Sequence, residues 1–387
     1  MNTRAGKFVL QSGGYRAFIP TTLPPDPPVQ YDEEMQSLLS KADRDLARLD
    51  GITMVLPNPD LFIAMYVKKE ALLSSQIEGT QASLEGVLEF EADLTPKEDV
   101  NEIKEVINYI KALNYGMGRL NELPMSLQLI REIHENLLEG TRGASLFPGE
   151  FRKFQNYIGA PGATLHEAIF VPPPPEMVIP TMEELEKFFQ SKDNIPPLVK
   201  ISLIHAQFET IHPFLDGNGR MGRLLITFYL FWKGILSKPL LYLSFYLKKN
   251  RAQYYDLLMN VRTEGAWEDW IRFFLMGVSE TSQEAANTAR EIIKLKDNLI
   301  TRLYENSVSS VYAVKLIDLL FEMPVISNKN VVERLRVSNV TSNELVRRFV
   351  DIGILREITG KKRYKRYIFT DYVEIIARGT RDELQGD

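Results

Sequence analysis

The stretch Ile211-His212-Pro213-Phe214-Leu215-Asp216-Gly217-Asn218-Gly219-Arg220-Met221-Gly222-Arg223 decides how this chain is read. Before it, Leu198–Ile211 is apolar, has helical character and meets a proline at its end. After it, Leu224, Leu225, Phe228 and Tyr229 resume helical apolar spacing. Two core helices are therefore expected, joined by a short loop carrying His, Asp, Asn and Gly. Gly217 and Gly219 let backbone N–H groups turn inward as an anion nest. The helix that follows adds free N–H groups and the positive end of its dipole. Arg220 and Arg223 stand i,i+3, on one face of its first turns. Their planar forks suit bidentate grip on successive phosphates. Asp216 offers one hard oxygen ligand, which suits Mg²⁺ arriving on nucleotide phosphates. His212 is a proton acceptor for neutral pH. A plain helix–turn–helix connection accounts for one Gly and one Arg, not for all of these together.

The run His212–Arg223 matches without a gap the pattern His-x-Phe-x-Asp/Glu-Gly-Asn-Gly-Arg-x-x-Arg, and so resembles the Fic (filamentation induced by cAMP) family. The resemblance implies a nucleotidyltransferase that moves AMP from ATP to a protein hydroxyl. It makes His212 the base for a Ser, Thr or Tyr of the target and Asp216 the holder of Mg²⁺. It gives Asn218 and the loop N–H groups of Gly217, Gly219 and Gly222 to the α-phosphate region. Arg220 and Arg223 take the β- and γ-phosphates, and Phe214 anchors the loop. Fic-like kinases carry lysine in place of the second loop glycine; Gly219 stands here, which favours attack at the α-phosphate. Pro148-Gly149-Glu150-Phe151-Arg152 and the following hairpin resemble the family's flap, which docks a target segment by strand addition near residues 151–171. Asn250-Arg251-Ala252-Gln253-Tyr254-Tyr255 resembles the motif whose Asn contacts adenine.

Upstream, Ser74-Ser75-Gln76-Ile77-Glu78-Gly79 resembles the family's inhibitory motif, Ser/Thr-x-x-x-Glu-Gly/Asn. Ser74 and Glu78 are i,i+4 and share a helix face. A carboxylate reaching Arg223 would neutralise the γ-phosphate site and keep ATP from the in-line geometry of transfer. The same resemblance implies a homodimer and allows self-modification. Two alternatives stay open at this level. One is a winged-helix DNA-binding regulator with a nucleotide-sensing core. The other is an enzyme that removes AMP from modified proteins, with Glu78 orienting water.

The remaining sequence narrows the class. A length of 387 residues fits two or three domains, and 44% apolar with 25% charged residues is ordinary for a globular protein. The net charge of −5 excludes a uniformly basic nucleic-acid coat, so any DNA contact rests on a local patch. The absence of cysteine excludes disulfides, thiolate catalysis and cysteine-held metals, and fits a reducing cytoplasm. Phe8-Val9-Leu10 is too brief for a secretory apolar region, and Lys233, Lys238 and Pro239 interrupt the apolar stretch Leu224–Leu247. A cytoplasmic protein with no membrane partner is expected.

Along the chain, residues 1–30 read as irregular, with Leu23-Pro24-Pro25-Asp26-Pro27-Pro28 in extended polyproline-like backbone. Helical pattern follows from residue 34. Asn58-Pro59 starts a helix through Phe62, Met65, Val67 and Leu72 to Ser74; Thr95-Pro96-Lys97-Glu98 reads as a capping box; Ser126 opens another helix. Residues 141–181 break the pattern, with Phe151–Tyr157 and Ala168–Val171 as a short hairpin, and helix resumes from Met182 to about residue 305. His134 and His205 read as hydrogen-bonded core histidines and His166 as an exposed loop residue. In the tail, helices at Val311–Phe321, Asn328–Leu335 and Ser342–Phe349 precede strands at 353–358 and 366–370. Arg356, Lys361, Lys362, Arg363, Lys365 and Arg366 make the wing basic, so it suits DNA phosphates, with Ser338–Arg348 in a major groove; a protein-docking module is the other reading. The expected fold is mainly α: a Fic-type helical core with a small β-hairpin flap and a C-terminal winged helix-turn-helix. The expected division is 1–115 with the inhibitory helix, 116–285 catalytic core, 286–307 linker helix around Gln283–Asn306, and 308–387 winged helix.

Overall fold

A computed structural model describes residues 2–55, 59–160 and 162–380. Asn58, expected as an N-cap, and residues 381–387 of the tail lie outside the described residues. Fifteen α-helices, two short 3-10 helices and two small sheets make up the described chain, so the protein is mainly α.

The first thirty residues are not irregular. Strands β1 (Asn2–Thr3), β2 (Gly6–Leu10) and β3 (Arg16–Pro20) form an antiparallel sheet in sequence order, with Phe8 opposite Phe18. The apolar runs flanking Gly13-Gly14 carried that hairpin signal. Gly14 takes φ +78° in the turn, where the Gln11 N–H donates to Tyr15 O at 2.8 Å. In the proline run that follows, the peptides before Pro24 and Pro27 are cis.

Helices α1 (Glu33–Val55), α2 (Pro59–Ile77), α3 (Leu84–Glu91) and α4 (Val100–Arg119) follow. The capping box expected at Thr95–Glu98 does not form. Asp99 caps α4 by accepting from Asn101 N at 2.8 Å, while the Glu98 carboxylate is drawn to the Ser83 hydroxyl. α5 (Leu127–Leu138) starts at the expected Ser126, whose hydroxyl accepts from Leu129 N. α6 (Pro175–Gln190) begins seven residues before Met182, with the last proline of the run at its first position.

The flap hairpin reduces to one bridge, Ile158 opposite Phe170. Pro172, Pro173 and Pro174 have no N–H with which to extend a ladder, and Val171 O already accepts from Phe18 N of β3 at 2.9 Å.

α7 (Pro197–Ile211) and α8 (Asn218–Trp232) form the centre; every α7 residue from Leu198 on is buried. α9 (Ser244–Lys249) and α10 (Arg251–Glu264) cover one side. α11 (Trp267–Glu305) runs 39 residues, so the segment read as a linker is the second half of one helix that packs along α1. Tyr66 of α2 donates to Ala285 O of α11 at 2.8 Å, locking the two together.

The tail is a winged helix. α12 (Val311–Glu322), β4 (Val325–Ile326), α13 (Asn328–Leu335), α14 (Asn339–Asp351), β5 (Arg356–Glu357) and β6 (Tyr367–Ile368) lead to α15 (Thr370–Ala377), with strand order β4-β6-β5. The expected strands shrink to two residues each, and Thr370 opens a helix instead. The Glu357 carboxylate accepts from the N–H groups of Thr359 and Gly360 and ends β5, while Phe369 N turns to Pro324 O. This unit sits against α2: Phe321 stacks on Phe62 at 6.3 Å between centroids, and Gln76 donates to Thr380 O at 3.2 Å. Among the described residues no helix is long and apolar enough to cross a membrane.

Candidate active site

The loop between α7 and α8 is fixed by groups that the sequence reading left without a role. His212 ends α7 in the left-handed region, φ +50° and ψ +60°, which costs a residue with a Cβ about 1 kcal/mol. Arg152, buried under the flap, offsets that strain. Its Nε donates to His212 O at 2.9 Å, its Nη2 to Pro173 O at 2.6 Å, and its backbone N to Pro213 O at 2.9 Å. Asn156 Nδ2 adds donors to His212 O at 3.2 Å and Phe214 O at 2.9 Å. The only sequence signal for these two was their place in the flap.

Phe214 is the anchor. It is fully buried, and the His134 ring lies parallel to it at 3.6 Å. His134 Nδ1 accepts from Gly149 N at 2.9 Å, so Nε2 carries the proton and donates to Asp216 O at 2.9 Å. Burial holds its pKa down to about 4, so it stays neutral while joining α5, flap and loop. Asn218 is engaged at both ends of its amide: Oδ1 accepts from Phe214 N at 2.9 Å and Nδ2 donates to Phe214 O at 2.8 Å. Its side chain therefore shapes the loop. Gly217, φ +76°, lets the chain turn into α8 beside His134.

The first turns of α8 carry the charge. Arg220 and Arg223 are both buried. Arg220 lies 3.6 Å from Glu105 and 3.7 Å from Asp216, and its Nε and Nη1 have no hydrogen-bond partner among the described residues. Arg223 is held by α2. Its Nε donates to Ser74 Oγ at 2.8 Å, and its Nη2 to Ser74 O at 3.0 Å and Glu78 Oε1 at 2.6 Å. Its Nη1 is left unpartnered among the described residues. The Glu78 carboxylate lies on the N-terminal turn of α8: a Cβ on Gly219 would stand 2.2 Å from Oε1. A carboxylate thus sits where the helix dipole and an arginine favour an anion. Burial pushes the Glu78 pKa up, but the charge and hydrogen bond of Arg223, with Arg220 and His212 behind them, hold it below the usual range. The Glu78 side chain is still 34% exposed, so it closes the pocket from the solvent side. Gly79, φ +100°, ends α2 just beyond it.

Burial, then Arg262 and Arg152, hold the His212 pKa down to about 3, leaving its imidazole neutral and able to accept a proton. Asp216 accepts from Gly217 N at 2.7 Å through Oδ1, and a third of its side chain is exposed. One open carboxylate 3.7 Å from Arg220 fits a metal carried by a polyphosphate, and no cluster of three or more acidic or histidine ligands exists among the described residues. Gly222 faces away from this pocket. Its carbonyl accepts from His205 Nδ1 at 3.0 Å, and a Cβ there would meet Glu209 Oε1 at 2.3 Å, so a larger residue would displace the Glu209 carboxylate. Asn250 bridges α9 and α10, and its amide donates to Tyr246 O at 3.0 Å rather than into the loop. His205 is a core residue as expected, joined to Tyr254 Oη at 2.9 Å.

Residues 124–230 match the Fic/DOC family model, 36–118 the Fic/DOC family N-terminal model, and 314–367 an HTH DNA binding domain model. A probable protein adenylyltransferase of Aquifex aeolicus is 29% identical over 223 residues, covering 56% of this chain and 60% of that one. The protein adenylyltransferase Fic of Drosophila grimshawi is 30% identical over 217 residues, 53% of this chain and 41% of its own. The chain thus spans about three-fifths of the first of these relatives and two-fifths of the second, less than two-thirds of either. A crystal structure of a Fic family protein from Desulfovibrio desulfuricans has the same fold, with TM-score 0.58 and 19% identity over 88% of this chain and 97% of that one. From its loop, its N-terminal helices and these matches, residues 36–118 and 124–230 of the chain belong to the Fic/DOC family.

Proposed function

We propose that this protein is an adenylyltransferase that moves AMP from ATP to a hydroxyl of a protein and is restrained by its own Glu78. The observation that carries the reading is the Glu78 carboxylate bound to Arg223 and lying on the first turn of α8. It supports an anion pocket filled by an internal stand-in for a terminal phosphate. Once Glu78 withdraws, the freed Arg223, Arg220 and the loop N–H groups of Gly217 and Gly219 bind the triphosphate. The adenine would then lie toward α10 and Asn250. Asp216 would hold Mg²⁺ carried on the nucleotide, and that ion would neutralise phosphate charge. Neutral His212 takes the proton of the attacking hydroxyl. The hydroxyl oxygen bonds to the α-phosphorus as the bond to the α–β bridging oxygen breaks. The electron pair leaves with pyrophosphate, whose growing charge falls on Arg220 and Arg223.

Phe154, Tyr157 and Ile169 are exposed along the flap, near residues 151–171, and supply apolar contacts for a docking protein segment. The winged helix supports a second activity, DNA binding. The α14 face bearing Asn339, Val340, Asn343 and Arg347 is uncovered, as is the wing with Lys361, Lys362 and Arg363. A homodimer belongs to the proposal and is read by sedimentation.

The test uses Glu78→Gly protein with ATP labelled at either the α- or the γ-phosphate. Label transferred from the α position alone, and lost with His212→Ala, supports the reading. Transfer of γ label, or α transfer that survives His212→Ala, overturns it. Absence of transfer with release of AMP from an AMP-modified protein would favour the reverse reaction.

A further inference from the structure

Behind His212 lies a carboxyl that no part of the proposed reaction uses. Glu209 stands one turn earlier on α7 and is buried. Its Oε1 has no hydrogen-bond partner among the described residues, and neither does the buried Nδ1 of His212. Glu209 Oε2 lies 4.0 Å from that Nδ1, the distance of a loose ion pair. An unsatisfied buried Nδ1, 4.0 Å from one oxygen of a buried carboxylate whose other oxygen is also unsatisfied, is costly unless the two groups serve each other. The packing around Glu209 looks built to keep it: Gly222 leaves room for Oε1, and Arg262 of α10 donates to the Glu209 carbonyl at 3.0 Å.

We propose that the Glu209 carboxylate is a positioning residue for His212: it accepts from Nδ1–H, fixes that tautomer, and leaves the Nε2 lone pair for the target hydroxyl. The inference rests on the adenylyltransferase reading and adds a residue to it. When His212 takes the proton, the imidazolium forms among Arg152 and Arg262, which oppose its charge. A carboxylate 4.0 Å away is the counter-charge that makes the step affordable. The groups facing Glu209 divide by element. Arg223 of α8 and Arg262 of α10 favour its ionised form; Glu78 of α2 opposes it; His205, on α7 itself, is neutral. Burial dominates and raises its pKa to about 7. Release of Glu78 removes one opposing charge and so favours the working form of Glu209. The backbone carbonyl of Glu209 also lies toward the ring and is the rival holder of Nδ1.

The experiment compares full-length Glu78→Gly protein with the same protein carrying Glu209→Gln or Glu209→Asp. ¹⁵N-histidine NMR reads the His212 tautomer, with the His212 resonances assigned by loss in His212→Ala. This readout does not depend on transfer, so it judges Glu209 even if the adenylyltransferase reading fails. The expected result is a pure Nδ1–H tautomer with Glu209, and a mixture in Glu209→Gln. Transfer, measured with α-labelled ATP, should fall by about tenfold to a hundredfold in kcat, with the KM for ATP unchanged. Its rise with pH, which absence of Glu78 places below 7, should vanish in Glu209→Gln and return in part in Glu209→Asp. An unchanged tautomer, kcat and pH profile in a folded Glu209→Gln protein would assign Nδ1 to the carbonyl and overturn the proposal.

Discussion

The molecule contains two helix–turn–helix units that use opposite faces of the same geometry. In α7–loop–α8 the second helix begins at a left-handed glycine, and Asn218, Arg220 and Arg223 on its first turns are all buried. In α13–turn–α14 the second helix begins at Ser338, which caps Thr341 N, and its first turns hold exposed Asn339, Val340 and Asn343. Buried arginines with spare donors are costly unless an anion joins them, so the first unit points to a ligand inside. Exposed polar side chains on an uncovered helix cost nothing to hold, so the second points to a surface read from outside. α2 lies between the two: Ser74 and Glu78 reach α8, while Phe62 and Gln76 reach the winged helix.

The sharpest way to break this contrast is at His212. His212→Ala should cut transfer by about a hundredfold to ten-thousandfold, with the melting temperature and DNA binding unchanged, as read by label incorporation, calorimetry and gel shift. Loss of DNA binding as well would deny the separation of the two units.

The next effect tests α2 itself. Glu70 is buried beneath Ser74, accepting from Ser244 Oγ at 2.5 Å and Tyr109 Oη at 3.2 Å. Burial raises its pKa from 4.5 to about 7. The fold therefore holds a proton that the unfolded chain has released, and stability falls as pH rises from about 4.5 to 7. Glu70→Gln should remove that fall. Relative to the parent, the variant should gain on the order of 2–3 kcal/mol between pH 5 and pH 8 in urea unfolding. A constant difference across that range would contradict the burial argument.

The smallest effect belongs to the exposed unit. Arg347→Ala combined with Lys362→Ala should weaken duplex DNA binding about tenfold at moderate salt and lower the salt slope by about two. Transfer by Glu78→Gly protein should not change. Equal DNA affinity in parent and variant would leave the winged helix as a protein-docking module.

Much of this was legible because the loop packs so many chemical residue types into twelve positions, from His212 to Arg223. The helices were legible where their apolar stripes were long, as at α5 and α12. What escaped notice was held by contacts distant in sequence. Arg152 and Asn156 reach His212 across some sixty residues, with no periodicity to announce them. Glu98 looked like a cap but found Ser83 instead. The N-terminal sheet had its signal in Gly13-Gly14, and the neighbouring prolines drew the reading toward irregular backbone. Gly222 stands at a position the loop's signature leaves open, and the group nearest to it is Glu209 behind the loop.

The central claim is that Glu78 occupies the place of a terminal phosphate on Arg223. The most direct measurement is the initial rate of transfer from α-labelled ATP by the parent protein and by Glu78→Gly, side by side at saturating nucleotide. The clamp predicts a rise of at least about tenfold, since a charge-assisted hydrogen bond of roughly 1.5–3 kcal/mol no longer holds Arg223. Equal rates in the two proteins would contradict it.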